Sequence, residues 1–559
     1  MFLAIIFVSI RRSYTDKDRI SFYFYGFSNR NFSFLSNQLN NSFPFSKQQK
    51  PNILENLLGI SYIDIDLTFD FYRESDILVP FLNTVQKPEY DQLNNMLIAE
   101  TSYIFLFDGQ YIGCQMGFVN NSEIFIHNQF EFIIHVNSKD QIEETYVKPV
   151  NSMVVDVGIR LDINFKAIFI KSSTSGSKKY DLINDKRFFA TNYHKAAMII
   201  AIFQSIALVI VVLLILRRMF ADFDHSTSIK DFDDFDFQST SDRGWKILHG
   251  DVFRPPKSSG LLTVLISTGF HLGVALFFFL SISRSLFAES YLMLAIIFIC
   301  VFSVSTLANG FVTVSVSNCF GIKKWLRLVF GSVFAPFVVF SCYITIDSFV
   351  ARLSSINYKI EIRSIIVLLL VIVFTYIPIG MLGGWVARKT KVFNSAPSEI
   401  ALIARSLPKL PWYLKFFSVC IISALNGSAI VLHEVYYILC SYFRNTQYLG
   451  FGNIILILIV LVIVSSCMSI IVTYFRLQKD YYNWQWVSFL GPASIGGAIF
   501  IYCLYFVYYY IQGFVLVNAI RFFVKCILFS GIVGLICGSI GFLSSNLFVR
   551  SVFSNLKLD

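Results

Sequence analysis

Glu434 sits beside His433 in a long run free of other charges, and chemistry could begin at that pair. An ionisable group inside apolar surroundings is costly, so it is either held by a neighbouring helix or put to use on a ligand, a partner group or a proton. The residues alone leave both readings open. His271 and Asp347, in other apolar runs, are candidate companions. A second pattern is Gly531, Gly534, Gly538 and Gly541, whose three- and four-residue spacing lines one helix face with small residues. Such a face admits a close neighbour, either a helix of this chain or the membrane helix of a client protein. A third is Lys557-Leu558-Asp559, a cation followed by two carboxylates that a groove of complementary charge could read.

Catalysis is not expected. The chain has no P-loop, no G-x-S-x-G, no HExxH and no paired carboxylates on one soluble helix. Its 10 cysteines form no CxxC pair and no Cys/His cluster, so neither a metal site nor a cofactor is predicted. Cys114 alone precedes the first apolar run, which leaves the N-terminal region without an internal disulfide. His127 and His135 have no carboxylate or cysteine at ligand spacing and read as ordinary strand residues.

The elements that must position these residues follow from composition. Of 559 residues, 55% are hydrophobic and only 15% charged, well below the quarter usual in soluble domains. Ile454–Val472 is typical of the second half: Leu, Ile and Val without one Lys, Arg, Asp or Glu. About 20 such residues match the bilayer core, and in lipid the backbone must satisfy its own hydrogen bonds as a helix. The expected fold class is a polytopic α-helical membrane protein with about nine transmembrane helices, preceded by a β-rich N-terminal lumenal domain. Residues 1–10 form a signal-like apolar segment that is either cleaved or retained. Residues 11–195 form the β-rich domain, with strand-like runs between Ile104 and Ile170 broken by Gly, Asn and Ser. N-glycosylation sequons start at Asn31, Asn40 and Asn120.

The first span is expected at 196–216, followed by a loop over 217–260 whose acidic, Phe-punctuated part reads as disordered. Further spans are expected at Leu261–Ser281, Tyr291–Val314, Leu326–Ile346, Ile365–Val386, Phe416–Leu439, Phe451–Tyr474, Val487–Tyr510 and Phe522–Val549, within 261–549. Pro378 and Pro492 should distort their helices. Residues 550–559 are a tail. The net charge of +10 does not imply a nucleic-acid partner. Arg217, Arg218, Lys323, Lys324, Arg388, Lys389, Lys391, Arg405, Lys409, Arg476 and Lys479 all fall on alternate loops, the pattern of cytosolic ends, against fewer on the opposite side (Arg284, Arg352, Lys359, Arg363, Arg444 and Arg521). The N-terminal domain is then lumenal and the tail cytosolic. Trp484 and Trp486 read as interfacial anchors of two helix ends, with partner binding as the alternative.

Three segments carry a resemblance: GWKILHGDVFRPP (Gly244–Pro256), LPKLPWY (Leu407–Tyr413) and TYFRLQKDYYNWQWVSF (Thr473–Phe489), with FSNLKLD at the end. In that order the chain resembles the nonaspanins, the nine-transmembrane superfamily also called endomembrane protein 70. The resemblance covers nearly all of Gly244–Asp559 and is weaker upstream, at His127–Val136 and Phe43–Phe45. Departures include Ser46 where the family has Cys, Asp108-Gly109 in place of a longer turn, and Gln485 between the two tryptophans. The resemblance implies that Lys557 and Asp559 form a coatomer-binding, Golgi-retention signal. It also implies a non-enzymatic role in sorting membrane proteins with glycine-rich transmembrane helices, in Golgi and endosomal membranes. A secondary transporter centred on Glu434 and an adhesion-related receptor are the rival readings.

Overall fold

The computed structural model describes residues 19–28, 63–73, 75–82, 85, 87–98, 102–107, 110–120, 123–136, 142–171, 191–228, 248–285, 291–353, 372–390, 402–443, 451–510 and 516–554. Met1–Ile10, Asn31, Asn40, Lys557 and Asp559 lie outside them.

In the N-terminal part, β1 (Arg19–Ser28), β2 (Ile63–Asp70), β4 (Ser102–Phe107) and β5 (Gln110–Gln115) form an antiparallel sheet ordered β2-β1-β4-β5. A second sheet contains β3 (Ser75–Leu82), β9 (Leu161–Lys171), β7 (Glu123–Val136) and β6 (Gly117–Asn120), with β8 (Ile142–Val155) along the other edge of β7. β7 is its spine. Ile124, Ile126, Phe130, Phe132, Ile134 and Val136 are buried while their neighbours are less so, the two-residue period of a half-wet strand. β8 runs antiparallel to β7 and β9 parallel to it, with Phe130 opposite Phe165. Phe69 of β2, Tyr103 of β4 and Cys114 of β5 share one core with these residues, so the sheets pack face to face. A short helix, α1 (Lys87–Ile98), adds Leu93 and Leu97 to that core.

The helical part contains α2 (Thr191–Ser228), α3 (Ser259–Ser285), α4 (Tyr291–Cys319), α5 (Trp325–Leu353), α6 (Ile377–Thr390), α7 (Phe416–Phe443), α8 (Phe451–Gln478), α9 (Gln485–Tyr510) and α10 (Leu516–Ser554). Among the described residues 8 helices, all of these but α6, are long and apolar enough to cross a membrane. The expected span Ile365–Val386 is described only from Ile372. A wide turn, Ile372–Tyr376, leads into α6 at Pro378, whose missing N–H removes a regular helical bond.

α2 departs from expectation. It continues to Ser228, so Asp222–Ser228, read as disordered, is helical. No Gly or Pro interrupts it, and extending a formed helix orders only one residue per new hydrogen bond. The rest of the acidic stretch, up to 247, lies outside the described residues.

α10 is the central post, packed on α9, α8 and α3. α4 packs most closely on α6 and α3, and α2 rests mainly on α8 and α7. The close approaches use glycine: a Cβ at Gly383 would run into the backbone of Leu307, and one at Gly496 into that of Ser530. Buried hydroxyls add cross-links in the low-dielectric interior. Ser469 and Ser545 lie 2.7 Å apart between α8 and α10, and Asn309 donates to the carbonyl of Ser332 at 3.1 Å between α4 and α5.

Candidate functional site

Two sites merit description: a clasp at one end of the bundle and a polar seam within it. The clasp forms where α8 stops and α3 and α9 begin. After α8 the chain turns sharply, with Asp480 at φ 56°, and re-enters helix at Gln485. Arg476, 3% exposed, points back into this end. Its Nε and Nη2 donate to the carbonyl of Leu414 at 3.2 and 2.8 Å, and its Nη1 to that of Asn483 at 3.1 Å. A planar fork of fixed donors suits such backbone oxygens.

Trp484 donates its indole N–H to the carbonyl of Val252 at 3.0 Å and stacks on Phe542 at 5.7 Å. Gln485 Nε2 donates to Val252 and Arg254 carbonyls, and Trp486 Nε1 to that of Lys257 at 2.9 Å. The Tyr482 hydroxyl donates to the carbonyl of Arg405 at 3.1 Å. The Arg405 N–H in turn donates to Asp251 Oδ2 at 3.3 Å, and Asp251 pairs with Arg254 at 2.6 Å. The segment before α3, the segment before α7 and the α8–α9 junction therefore close on one another.

Two expectations are corrected here. Trp484 is 2% exposed and ties loop to helix rather than anchoring an interface. The residues ahead of α3 form no continuous helix, so their carbonyls need outside donors, and the indole is one. Arg476 is a buried structural cation within α8, not a solvent-facing loop charge, because those carbonyls neutralise its burial cost.

The polar seam lies along α7. Glu434 is 2% exposed. His433 Nε2 stands 3.7 Å from its Oε2, and His433 Nδ1 lies 3.0 Å from the carbonyl of Ile430. The flanking Ile430, Val431 and Val435 share one apolar cluster with Met198 and Ala201 of α2, Val464 of α8 and Phe506 of α9. About two turns along α7, Asn426 meets Gln204 of α2. Gln204 Nε2 donates to the Asn426 side-chain oxygen and, at 3.0 Å, to its main-chain oxygen. Asn426 Nδ2 faces Met468 Sδ of α8 at 3.4 Å. Sequence reasoning passed over Gln204 and Asn426; an amide inside an uncharged apolar run was the available signal.

His271 belongs to another seam. Its Nε2 is 3.3 Å from the carbonyl of Phe302 on α4, and the two rings lie 4.4 Å apart. Asp347 is placed on α5, without its side chain among the described residues. Of the glycine series, Gly534, Gly538 and Gly541 face α9. A Cβ at Gly538 would stand 2.8 Å from the Phe489 oxygen, and one at Gly541 2.6 Å from Pro492 Cγ, whereas Gly531 has nothing within 4 Å.

In the sheet region, burial pushes the Cys114 thiol up to about 12 and shifts His127 below the ordinary imidazole range. Asn120 is exposed at the end of β6. Among the described residues no three His, Cys, Asp or Glu side chains converge as metal ligands would.

The chain matches the family described as Endomembrane protein 70 over residues 35–514. It is similar to Transmembrane 9 superfamily member 1 of Saccharomyces cerevisiae, 28% identical over 359 residues, 62% of this chain and 51% of that protein. A Transmembrane 9 superfamily protein of Schizosaccharomyces pombe is 26% identical over 80% of this chain and 74% of its own length. Member 4 of Arabidopsis thaliana is 23% identical over 92% and 88% respectively. The match thus spans about half the length of the Saccharomyces relative. No solved structure matches the chain.

Proposed function

This chain belongs to the endomembrane protein 70 family, and from that premise we propose that it binds other membrane proteins and helps sort or place them, without catalysis. Its setting is the Golgi and endosomal membranes, with the sheet region in the lumen and the C-terminal tail in the cytosol. The supporting observation is the seam. The stretch Ala196–Met219 of α2 is only 17% buried, and α2 meets α7 through Gln204 and Asn426. A client's glycine-rich helix could lie close there and exchange hydrogen bonds with those amides. Three of the chain's own stripe glycines already face α9, so the client would supply the small residues. Lys557 and Asp559 would carry the address by binding coatomer.

Removing the protein from cells should lower the surface level of a single-span reporter with a glycine-rich membrane helix. The same reporter with its glycines changed to leucine should be unaffected; equal behaviour of the two reporters would refute the sorting role. Changing Lys557 and Asp559 to Ser should release the protein from the Golgi, and unchanged imaging would remove the tail signal.

A second reading is favoured by one observation, the 3.7 Å approach of His433 to buried Glu434. A secondary transporter would use that pair for proton coupling. It predicts a pH-dependent flux in reconstituted vesicles that Glu434→Gln abolishes. The sorting role predicts no flux in either protein.

A further inference from the structure

β6 ends in an exposed asparagine. Its burial alternates, so that Phe118 and Asn120 share the outer face of their sheet while Gly117 and Val119 turn towards the core. Two residues along a strand place the two side chains about 7 Å apart on that face. Phe118 stands opposite Phe125 of β7, the rings stacked with centres 5.0 Å apart and planes 7° apart. Phe125 in turn stands opposite Val154 of β8, and the His127 ring lies 5.9 Å from that of Phe118. Phe118 and Val154 are 40% and 41% exposed. One exposed apolar side chain needs no explanation. A row of three across neighbouring strands, open to solvent, is a patch that a partner of matching chemistry would cover.

The sequence supplies the occupant. Asn120-Asn121-Ser122 is an acceptor sequon for N-linked sugar. Of the three sequons ahead of α2, it alone has an aromatic residue two places before the asparagine. Asn29 and Gln38 hold that place before Asn31 and Asn40. A pyranose such as N-acetylglucosamine carries axial hydrogens on its ring faces, and these weakly polarised C–H groups suit the negative face of an aromatic ring. Phe125 backs the Phe118 ring on one side, so the sugar would meet the other. Glu123, exposed and opposite Asn120, can accept from sugar hydroxyls.

We propose that Asn120 carries an N-linked glycan whose first sugar folds back onto Phe118, closing the row of Phe118, Phe125 and Val154 and stabilising the sheet region. In the transfer, Asn120 Nδ2 bonds to C1 of an oligosaccharide borne on a polyisoprenyl pyrophosphate. The bond from C1 to the phosphate oxygen breaks, and the pyrophosphate departs with that oxygen. One Nδ2 proton passes to a base of the cell's oligosaccharide transferase. This rests on the lumenal setting proposed above, because the transfer takes place on the lumenal face. Beyond that setting, it adds a modification site and gives the sugar a structural use.

The test uses the full-length protein made in eukaryotic cells. Glycopeptide mass mapping should find Asn120 occupied. Lys139→Thr gives a control acceptor at Asn137, between β7 and β8, and reports the lumenal setting by itself. Sugar on Asn137 but not on Asn120 would overturn the proposal and leave the lumenal setting standing; sugar on neither would overturn both. Stability of the sheet region is read at Cys114, the one thiol ahead of α2 and part of its core, as the temperature at which a maleimide labels half of it. Removing the sequon by Ser122→Ala should lower that temperature by about 3 °C. In a Phe118→Ala background, compared on the occupied fraction, Ser122→Ala should lower it by less than about 1 °C. Asn120→Gln should repeat the result of Ser122→Ala in the parent, which separates loss of the sugar from an effect of the serine itself. Equal shifts with and without Phe118 would overturn the seating of the sugar on that ring, and with it the proposal.

Discussion

Arg476 makes three donations to two backbone oxygens at the clasp, and no other side chain type can replace that fork. Lysine keeps the charge but cannot reach both carbonyls, leaving one buried acceptor unpaired. Arg476→Lys should therefore cost about 2 kcal/mol of stability, seen as a lowered thermal midpoint in detergent; an unchanged midpoint would contradict the clasp. Trp484→Phe, which retains the stack on Phe542 but loses the bond to Val252, should cost about 1 kcal/mol. Cys114 gives a check on the sheet core. Its thiol is 5% exposed and held up near 12. It should resist maleimide at pH 8 in the folded protein and react once the protein is denatured; rapid labelling of the native state would mean the core is open. At this scale the sequence was a mixed guide. Glu434 stood out because a lone acid in an apolar run is conspicuous. Arg476 and Trp484 looked like surface residues because their partners are carbonyls, which residue type does not reveal.

The α9–α10 contact shows what glycine spacing decides at the scale of elements. Gly538 and Gly541 let the α9 backbone approach, and Pro492 fills the notch over Gly541. Gly538→Leu should separate the helices and lose folded protein, read as loss of a monodisperse peak in gel filtration. Gly531→Ala should be tolerated or add up to about 1 kcal/mol, since alanine is the better helix former and nothing lies within 4 Å of the new Cβ. If both substitutions behave alike, the stripe has been misread. Hydropathy located the helices well, for Phe416 and Phe451 open α7 and α8 as expected. It missed the helical continuation of α2 to Ser228, where polar residues extend a helix already begun. It also missed β1–β3 and α1, which stand among Asn-, Ser- and Pro-rich stretches that weaken any periodic signal.

For the whole molecule, the order of the three signature segments along the chain carried the family, but only the folded arrangement explains their chemistry: the first and third bond directly to each other, and Arg405 and Leu414, which flank the second, bond to both. Which helices meet was not legible, because lipid-facing and helix-facing apolar residues look alike in sequence. The seam between α2 and α7 emerged only in three dimensions, and the account of function rests on it. The most direct measurement is site-specific photo-crosslinking from Leu425, an exposed residue of α7 beside Asn426, in cells expressing a glycine-rich single-span client. The account predicts an adduct at Leu425 that disappears when the client's glycines become leucine, and none from Leu382, exposed on α6 away from the seam. Equal adducts from both positions, or an adduct at Leu425 indifferent to the client's glycines, would contradict it.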